Sequence, residues 1–331
     1  MNKSITKSEL KQLSEISKII KQSKTFFIAG HVKPDGDSLG ACLALWSMLK
    51  RLGKKAIVCC ADDVPDMLKF MHGAQSIKKS VSKNAVFDCA IILESINFAR
   101  MGDIISHSQA KKIINIDHHS MFTDFGSVNY IVPHSSSVSE LILKIFEFMK
   151  IKPSKDEADC LYTGLVTDTG RFQQLNTNSD SHAAAEKLLN YGVSPNDIFN
   201  KVYVNSTAES LKLLGFALTG LKTYFNGKMA YMIITKDMFR QSSAKEDETE
   251  GIVNYGMMIK GVKVSCLFNE IDKNTTKVSL RSVKGFDILE TVKKCGGGGH
   301  KNAAGCTLKS DINSALTIIS DAFKDKLNNA K

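Results

Sequence analysis

Between residues 25 and 117 the apolar runs "TFFIAG", "KAIVCC", "FDCAIILES" and "KKIINIDHH" alternate with a helical pattern over 38–52 and a mixed stretch around 65–79. Strands of a parallel sheet covered on both faces read this way, apolar without strict alternation. The expected N-terminal architecture is therefore α/β, a parallel sheet with helices on both faces. Ligands of such sheets collect at the carboxyl ends of the strands. Three of the runs end there in polar groups: His31 with Asp35 and Asp37, then Glu94, then Asp117 with His118 and His119.

Beyond this region, 136–150 and 155–167 have helical patterns, and "TDTGRF" breaks the second, leaving Asp168 at a helix end or turn. A further helix is expected over 181–191. The Gly, Pro and Asn of "YGVSPNDIFNKVYVNST" look like the start of a connection. This gives a first domain over 1–191, a linker over 192–222 and a second domain over 223–331. In the second, "MAYMIIT", "VKVSCLFNEI" and "TTKVSLRS" read as strands, with helices near 286–295 and 311–327, the last capped by Asp311. It is expected to be a smaller α+β domain. The acidic run "EDETE" at 246–250 reads as a solvated helix start or loop.

The 331 residues are 43% hydrophobic, enough for two domains with a core each. No apolar run approaches the roughly 18 residues that a bilayer span requires, and "MNKSITKSELKQLSEISKIIKQSK" lacks the apolar stretch of a signal peptide. The expectation is a cytoplasmic protein with no membrane association. In that first stretch Lys3, Lys7, Lys11, Lys18, Lys21 and Lys24 alternate with Ile5, Leu10, Leu13, Ile16 and Ile20, the pattern of an amphipathic helix with a wet basic face. The formal charge of +10 favours anionic partners but decides little alone. The eight cysteines form no C-x-x-C pair and sit mostly inside apolar segments, so they read as reduced core thiols.

His31, Asp35, Asp37, Glu94, His118 and Asp168 together make two imidazoles and four carboxylates. Such a mixed N/O set suits manganese, with magnesium second, better than zinc. A pair of ions roughly 3.5–4 Å apart would supply a nucleophile at neutral pH and clamp phosphoryl oxygens in line. Without cations the carboxylates would repel one another and raise their own pKa values. A lone D-x-D is commonly a turn or cap, and a lone D-H-H is only a suggestion. Their order, each at the end of an expected strand or helix, is what argues for a site.

"HVKPDGDSLG", "IDHHS", "TDTGRF" and "GGGGHKNAAG" together resemble the DHH phosphoesterase family, in its two-domain NrnA-like branch of nanoRNases and pAp phosphatases with a DHH-associated C-terminal domain. The resemblance runs from about residue 20 to 327. It implies that His31 and Asp35 hold one manganese ion and that Asp37, His118 and Asp168 hold the other. It gives catalytic roles to Asp117, which orients a ligand, and to His119, which faces the scissile phosphate as a donor. One position departs: where the family has an Asp bridging both metals, this chain has Glu94. The extra methylene moves a carboxylate outward by roughly 1.5 Å, large against the ~0.5 Å tolerance of a preorganised site. Glu94 is still expected to bind metal, with weaker or unusually metal-dependent activity.

In the second domain, "CGGGGHKNAAGC" offers backbone N–H groups free of side chains, which can approach a phosphate or base closely. A flexible linker would not continue into His300, Asn302 and the strand-like "AAGCTL". Gly297, Gly298, Gly299 and His300 are thus expected to bind substrate, together with Arg281 and Ser282 of "SLRS" and Arg100, which match substrate-contacting residues of the family. The implied active site is a cleft between the domains that favours dinucleotides and very short oligomers. The expected activity is hydrolysis of nanoRNA and short RNA or DNA oligonucleotides, including pApA and pGpG, to 5′-mononucleotides, and of pAp to AMP. The resemblance also implies a homodimer. Two other readings remain: a pyrophosphatase or polyphosphatase sharing the DHH core, whose Lys- and Arg-rich signature is here replaced by glycines, and a nucleotide-binding sensor weakened by Glu94.

Overall fold

The structure, a computed structural model, describes residues 6–329; Lys3 and Ile5 lie outside them. The chain divides after Asn205 into two units. The first opens with α1 (Lys7–Gln22), capped by a reciprocal pair of bonds between Thr6 and Glu9. Leu13, Ile16 and Ile20 are buried as their spacing requires, whereas Leu10 stays 44% exposed.

Five strands follow: β1 (Thr25–Ala29), β2 (Lys55–Cys59), β3 (Cys89–Leu93), β4 (Ile113–Asp117) and β5 (Val128–Ile131). All pair in parallel, in the order β2-β1-β3-β4-β5. The chain leaves β1 toward one side and returns to its other side for β3, so the order reverses between β1 and β3. At such a switch point the connections diverge and open a crevice beyond the strand ends.

The helices α2 (Gly36–Arg51), α3 (Val138–Phe148), α4 (Lys155–Asp168), α5 (Ser179–Asn190) and α6 (Pro195–Tyr203) share one core with α1 and with Phe26, Ile28, Ile91, Leu93, Ile114 and Ile116 of the sheet. Helices were expected on both faces. On the second face Phe27, Ala29, Ala90, Ile92 and Ile113 pack instead against Phe87, Met101, Ile104 and Ile105, from segments that form only 3-10 turns, at Phe98–Met101 and His107–Gln109, and irregular chain. Gly102 adopts φ 81° directly after the first of these turns, which keeps it from extending into a full α-helix.

The range 192–222, expected as a linker, carries α6 and then α7 (Ala208–Thr219). Ile198 and Val202 of α6 join the first core, and Leu213 and Ala217 of α7 join the second unit. Each pair has i,i+4 spacing, enough to dock a short helix that Pro195 and Gly192 had made look like a connection.

The second unit adds β6 (Lys222–Tyr224), β7 (Met229–Ile234), α8 (Lys236–Ser242), α9 (Ile252–Gly256), β8 (Val264–Asp272), β9 (Thr275–Ser282), α10 (Leu289–Lys294), β10 (Gly298–His300), β11 (Ala303–Leu308) and α11 (Ile312–Asn328). Its sheet runs β10-β11-β9-β8-β7-β6, antiparallel except for β7 with β8. Val264, Cys266, Phe268, Val278 and Leu280 pack on α11 through Ala315, Ile319 and Phe323, while Met232, Ile234 and Leu267 pack on α7. Asp311 caps α11, accepting from the N–H groups of Asn313 and Ser314. All eight cysteines are free, and only Cys295 is not buried.

One close approach in the first unit bears on the strand ends. A Cβ at Gly164 of α4 would lie 2.0 Å from Ser139 Oγ and 2.8 Å from Asp37 Oδ1. Only glycine lets α4 pass this near α2 and α3. Gly164→Ala is expected to lower stability by about 1–3 kcal/mol through overpacking, read from urea unfolding; a variant as stable as the wild type would show that the contact is slack.

Candidate metal centre

The loop after β1 turns directly into α2. Asp35 caps that helix, its Oδ1 accepting from the N–H groups of Asp37 (3.1 Å) and Ser38 (3.0 Å), and the positive end of the helix favours carboxylates there. Its Oδ2 remains 3.6 Å from His31 Nε2. His31 Nδ1 lies 2.7 Å from the Val32 carbonyl. A carbonyl only accepts, so Nδ1 carries the hydrogen and Nε2 presents its lone pair to Asp35 and to Glu94 Oε2, 3.7 Å away.

His118 is built alike: Nδ1 lies 3.1 Å from the Ser135 carbonyl, and Nε2 faces Asp168 Oδ2 at 3.7 Å. Asp37 is fully buried, its Oδ2 accepting from Val138 N (2.6 Å) and its Oδ1 from Ser139 N (2.8 Å), at the start of α3. Two triads of ligand atoms result, each within 4.8 Å: His31, Asp35 and Glu94, and Asp37, Glu94 and His118. Glu94 belongs to both, and Asp168 joins the second through His118. A third triad of the same span is Asp117, His118 and His119.

Glu94 follows β3 with φ 53°, a left-handed conformation that a non-glycine residue keeps only where its surroundings impose it, at a cost of about 1–3 kcal/mol. Its N–H still bonds to the Ile116 carbonyl at 2.9 Å. The residue is 4% exposed and its Oε2 has no hydrogen-bonding partner. Burial, then the charges of Asp37, Asp35, Asp168 and Asp117, hold its carboxyl well above the ordinary range. Burial and Asp37 likewise push Asp168 up to about 7. For His31, burial disfavours the imidazolium, but the nearby Asp35 carboxylate and the bond to the Val32 carbonyl outweigh it and raise the pKa.

Asp117 Oδ1 accepts from the N–H groups of His118 (2.7 Å) and His119 (3.0 Å) and from His119 Nδ1 (2.7 Å). Burial would raise this carboxyl, yet those bonds bring it below its usual value, and the same contact raises His119. Asp117 Oδ2 is buried without a partner. Arg100 lies on the exposed turn after Glu94. Its carbonyl accepts from Val32 N at 2.9 Å, and its charge opposes protonation of both His31 and His119.

The donor set fits divalent cations. Both imidazoles have Nδ1 committed to a carbonyl and Nε2 turned toward carboxylates. The 3.6–3.7 Å separations are too long for hydrogen bonds and lie just above the roughly 3.0–3.5 Å between neighbouring ligands of one ion about 2.1 Å from each. Two buried carboxylate oxygens, on Glu94 and Asp117, lack a hydrogen to accept.

The remaining expected residues belong to the second unit. Strand pairing sets His300 opposite Ala303 and Ala303 opposite Arg281, so this row faces one side of the sheet with only a methyl group between the imidazole and the guanidinium strands. Ser282 is already engaged: its hydroxyl donates to the Phe286 carbonyl (2.6 Å) and accepts from Asn302 Nδ2 (2.9 Å). Within the glycine run, a Cβ on Gly297 would lie 2.3 Å from the Gly305 carbonyl and one on Gly299 2.5 Å from that of Ala303, whereas Gly298 faces open space. Close packing on β11 thus accounts for two of these glycines. Arg281 also lines a polar cavity of about 340 Å³ with Lys277, Glu246, Asp247 and Glu250. The run "EDETE", expected as solvated, forms a 3-10 turn in which Glu246 pairs with Lys236 and Glu248 accepts from Thr207.

Sequence reasoning passed over the backbone of 135–139 and over Asn176, whose Nδ2 donates to Asp168 Oδ2 at 3.1 Å. The available signal was "SSSVSE", a serine cap with an acid three residues on.

Residues 25–165 match the model of the DHH family, N-terminal domain, and residues 226–326 match the DHHA1 domain. The chain is 29% identical over 307 residues to a bifunctional oligoribonuclease and PAP phosphatase NrnA of Thermus thermophilus, covering 92% of this chain and 90% of that one. With the Bacillus subtilis protein of the same name it shares 28% identity, covering 90% and 93%. A crystal structure of an exopolyphosphatase-related protein from Bacteroides fragilis superposes with a TM-score of 0.84 at 29% identity, over 99% of this chain and all of that one. No described helix is long and apolar enough to cross a membrane. With both domain models in place, relatives matched over nine-tenths of the length, and DHH side chains gathered at the strand ends, the chain belongs to the DHH family of hydrolases as an NrnA-like member.

Proposed function

We propose that this chain is a divalent-cation-dependent phosphoesterase that degrades very short oligonucleotides, pApA and pGpG among them, to 5′-mononucleotides and converts pAp to AMP. The observation that carries the reading is the Glu94 carboxylate shared by two ligand triads; the names borne by the relatives supply the substrate class. His31, Asp35 and Glu94 would hold one ion, and Asp37, Glu94, His118 and Asp168 the other, manganese being favoured by the N/O donor set and magnesium second. Such ions, when bound, supply positive charge to the phosphoryl oxygens and acidify water at neutral pH.

The protein's own groups do the rest. Asp117 fixes the hydrogen on His119 Nδ1, which turns Nε2 outward, and its charge favours the doubly protonated ring, so Nε2 can give a proton to the leaving 3′-oxygen as the P–O bond breaks. Arg100 offers a forked donor to phosphate oxygens beside the strand ends. Arg281, His300 and the open backbone at Gly298 form the surface of the second unit that would grip the nucleotide end, with Ser282 and Asn302 shaping the loop beneath. Gly297 and Gly299 bring that strand close to β11.

Assayed with manganese and with magnesium on pAp, pApA, pGpG and oligonucleotides of rising length, the protein is expected to release AMP or GMP, with rates that fall as length grows. Phosphate release from pyrophosphate without nucleotide turnover would replace this reading with the pyrophosphatase one.

Glu94 supports a second reading, a nucleotide sensor, because its side chain is one methylene longer than the Asp of the family pattern. Glu94→Asp is expected to keep two ions and raise turnover several-fold, and Glu94→Gln to abolish both bridging and activity. A wild type that binds pApA but is inert, with Glu94→Asp active, would establish the sensor. Manganese at a thousand times its Kd is expected to stabilise the fold by about 4 kcal/mol, a Tm rise on the order of 10 °C that EDTA reverses; an unchanged Tm would argue against cation binding.

A further inference from the structure

The pentapeptide Ser135–Ser139 bonds to two residues of the second triad, Asp37 and His118, and also reaches Asp168. Its Ser135 carbonyl accepts the His118 Nδ1 hydrogen (3.1 Å), and its Val138 and Ser139 N–H groups donate to the two oxygens of Asp37 (2.6 and 2.8 Å). The link to Asp168 is indirect. Asn176 Nδ2 donates to the Ser136 carbonyl at 2.9 Å and to both Oδ2 and the backbone carbonyl of Asp168 at 3.1 Å. Ser136 is itself anchored, donating from N (3.1 Å) and Oγ (2.9 Å) to Glu140, whose other oxygen pairs with Lys144 at 2.8 Å.

Asp168 needs such a tether. It is the last residue of α4, at the negative end of the helix dipole, where a carboxylate is disfavoured. The chain then runs through three successive left-handed residues, Gly170, Arg171 and Phe172, with φ between 52° and 63°, before Asn176 returns to it. The acceptors it joins, a carbonyl and a carboxylate, cannot face each other without a donor between them.

We propose that Asn176 is a positioning residue: it locks the Asp168 carboxylate to the segment that already orients Asp37 and His118, so that one cation subsite is preorganised as a unit. The His31, Asp35 and Glu94 subsite is held separately, through the Val32 carbonyl and the cap of α2. Loss of Asn176 therefore acts on one ion and not on the other. The inference rests on the two-ion reading above.

Titration of the full chain with manganese, followed by calorimetry and by the EPR signal of free ion, tests it. The wild type is expected to take up two ions. Asn176→Ala is expected to keep one affinity and weaken the other by about 10–100-fold, and Asn176→Asp, which keeps the volume but loses the donor, to do the same. Asn129→Ala serves as the control for a structural loss, because Asn129 ties only the Gly126 loop of the same unit; it is expected to lower Tm with both affinities intact. If Asn176→Ala does not fold, Asn176→Asp carries the test alone. Two unchanged affinities, or two that fall together, overturn the proposal while leaving the two-ion reading standing. A wild type that binds fewer than two ions removes that reading, and this one with it.

Discussion

Four carboxylates gathered at the strand ends, two of them buried, repel one another, and the N-terminal unit is arranged around that repulsion. Asp37 and Glu94 are almost wholly buried, and Asp35 and Asp168 stand close enough to raise the Glu94 pKa further. An apolar core would expel such a group or neutralise it. Here the sheet reverses its strand order between β1 and β3, and the crevice at that switch point brings the carboxyl ends of β1, β3 and β4 to one place. Helix N-termini then offset part of the cost: α2 receives Asp35 as its cap, and α3 presents two N–H groups to Asp37. What they leave uncompensated, chiefly the Glu94 carboxylate, is a demand for positive charge.

His31 and His118 show how the surroundings set which ring nitrogen is left free. Each surrenders Nδ1 to a carbonyl, of Val32 or of Ser135, and thereby aims Nε2 at carboxylates. His119 differs because its Nδ1 meets Asp117 and not a carbonyl. Its ring is biased toward the cation, which under the proposed function would suit it to donate a proton where the other two would hold metal. Adjacent positions in "DHH" thus differ because they make different hydrogen bonds.

In the second unit the glycine run serves two ends that composition cannot separate. Gly297 and Gly299 are required because β11 lies too near for a Cβ, while Gly298 opens the backbone to its surroundings. The register that places His300, Ala303 and Arg281 in one row gives this edge a small residue flanked by an imidazole strand and a guanidinium strand.

By itself the sequence determined most strands and most helices, because short unbroken apolar runs and 3.6-residue periodicity are local signals; β5, β6 and β10, three or four residues long, carry no such signal. It also marked His31, Asp35, Asp37, Glu94, Asp117, His118, His119 and Asp168, whose residue types stand out wherever an apolar run ends. It misled where local and tertiary signals diverge: Pro195 and Gly192 obscured α6, and the second sheet face is covered by turns whose packing has no period. Only the tertiary structure decided that Glu94 lies in both triads, that Ser135–Ser139 bonds to Asp37 and His118, and that Asn176 joins Asp168 to the same segment. Those facts depend on contacts made by backbone atoms and by an ordinary amide across the fold, and no residue type announces them.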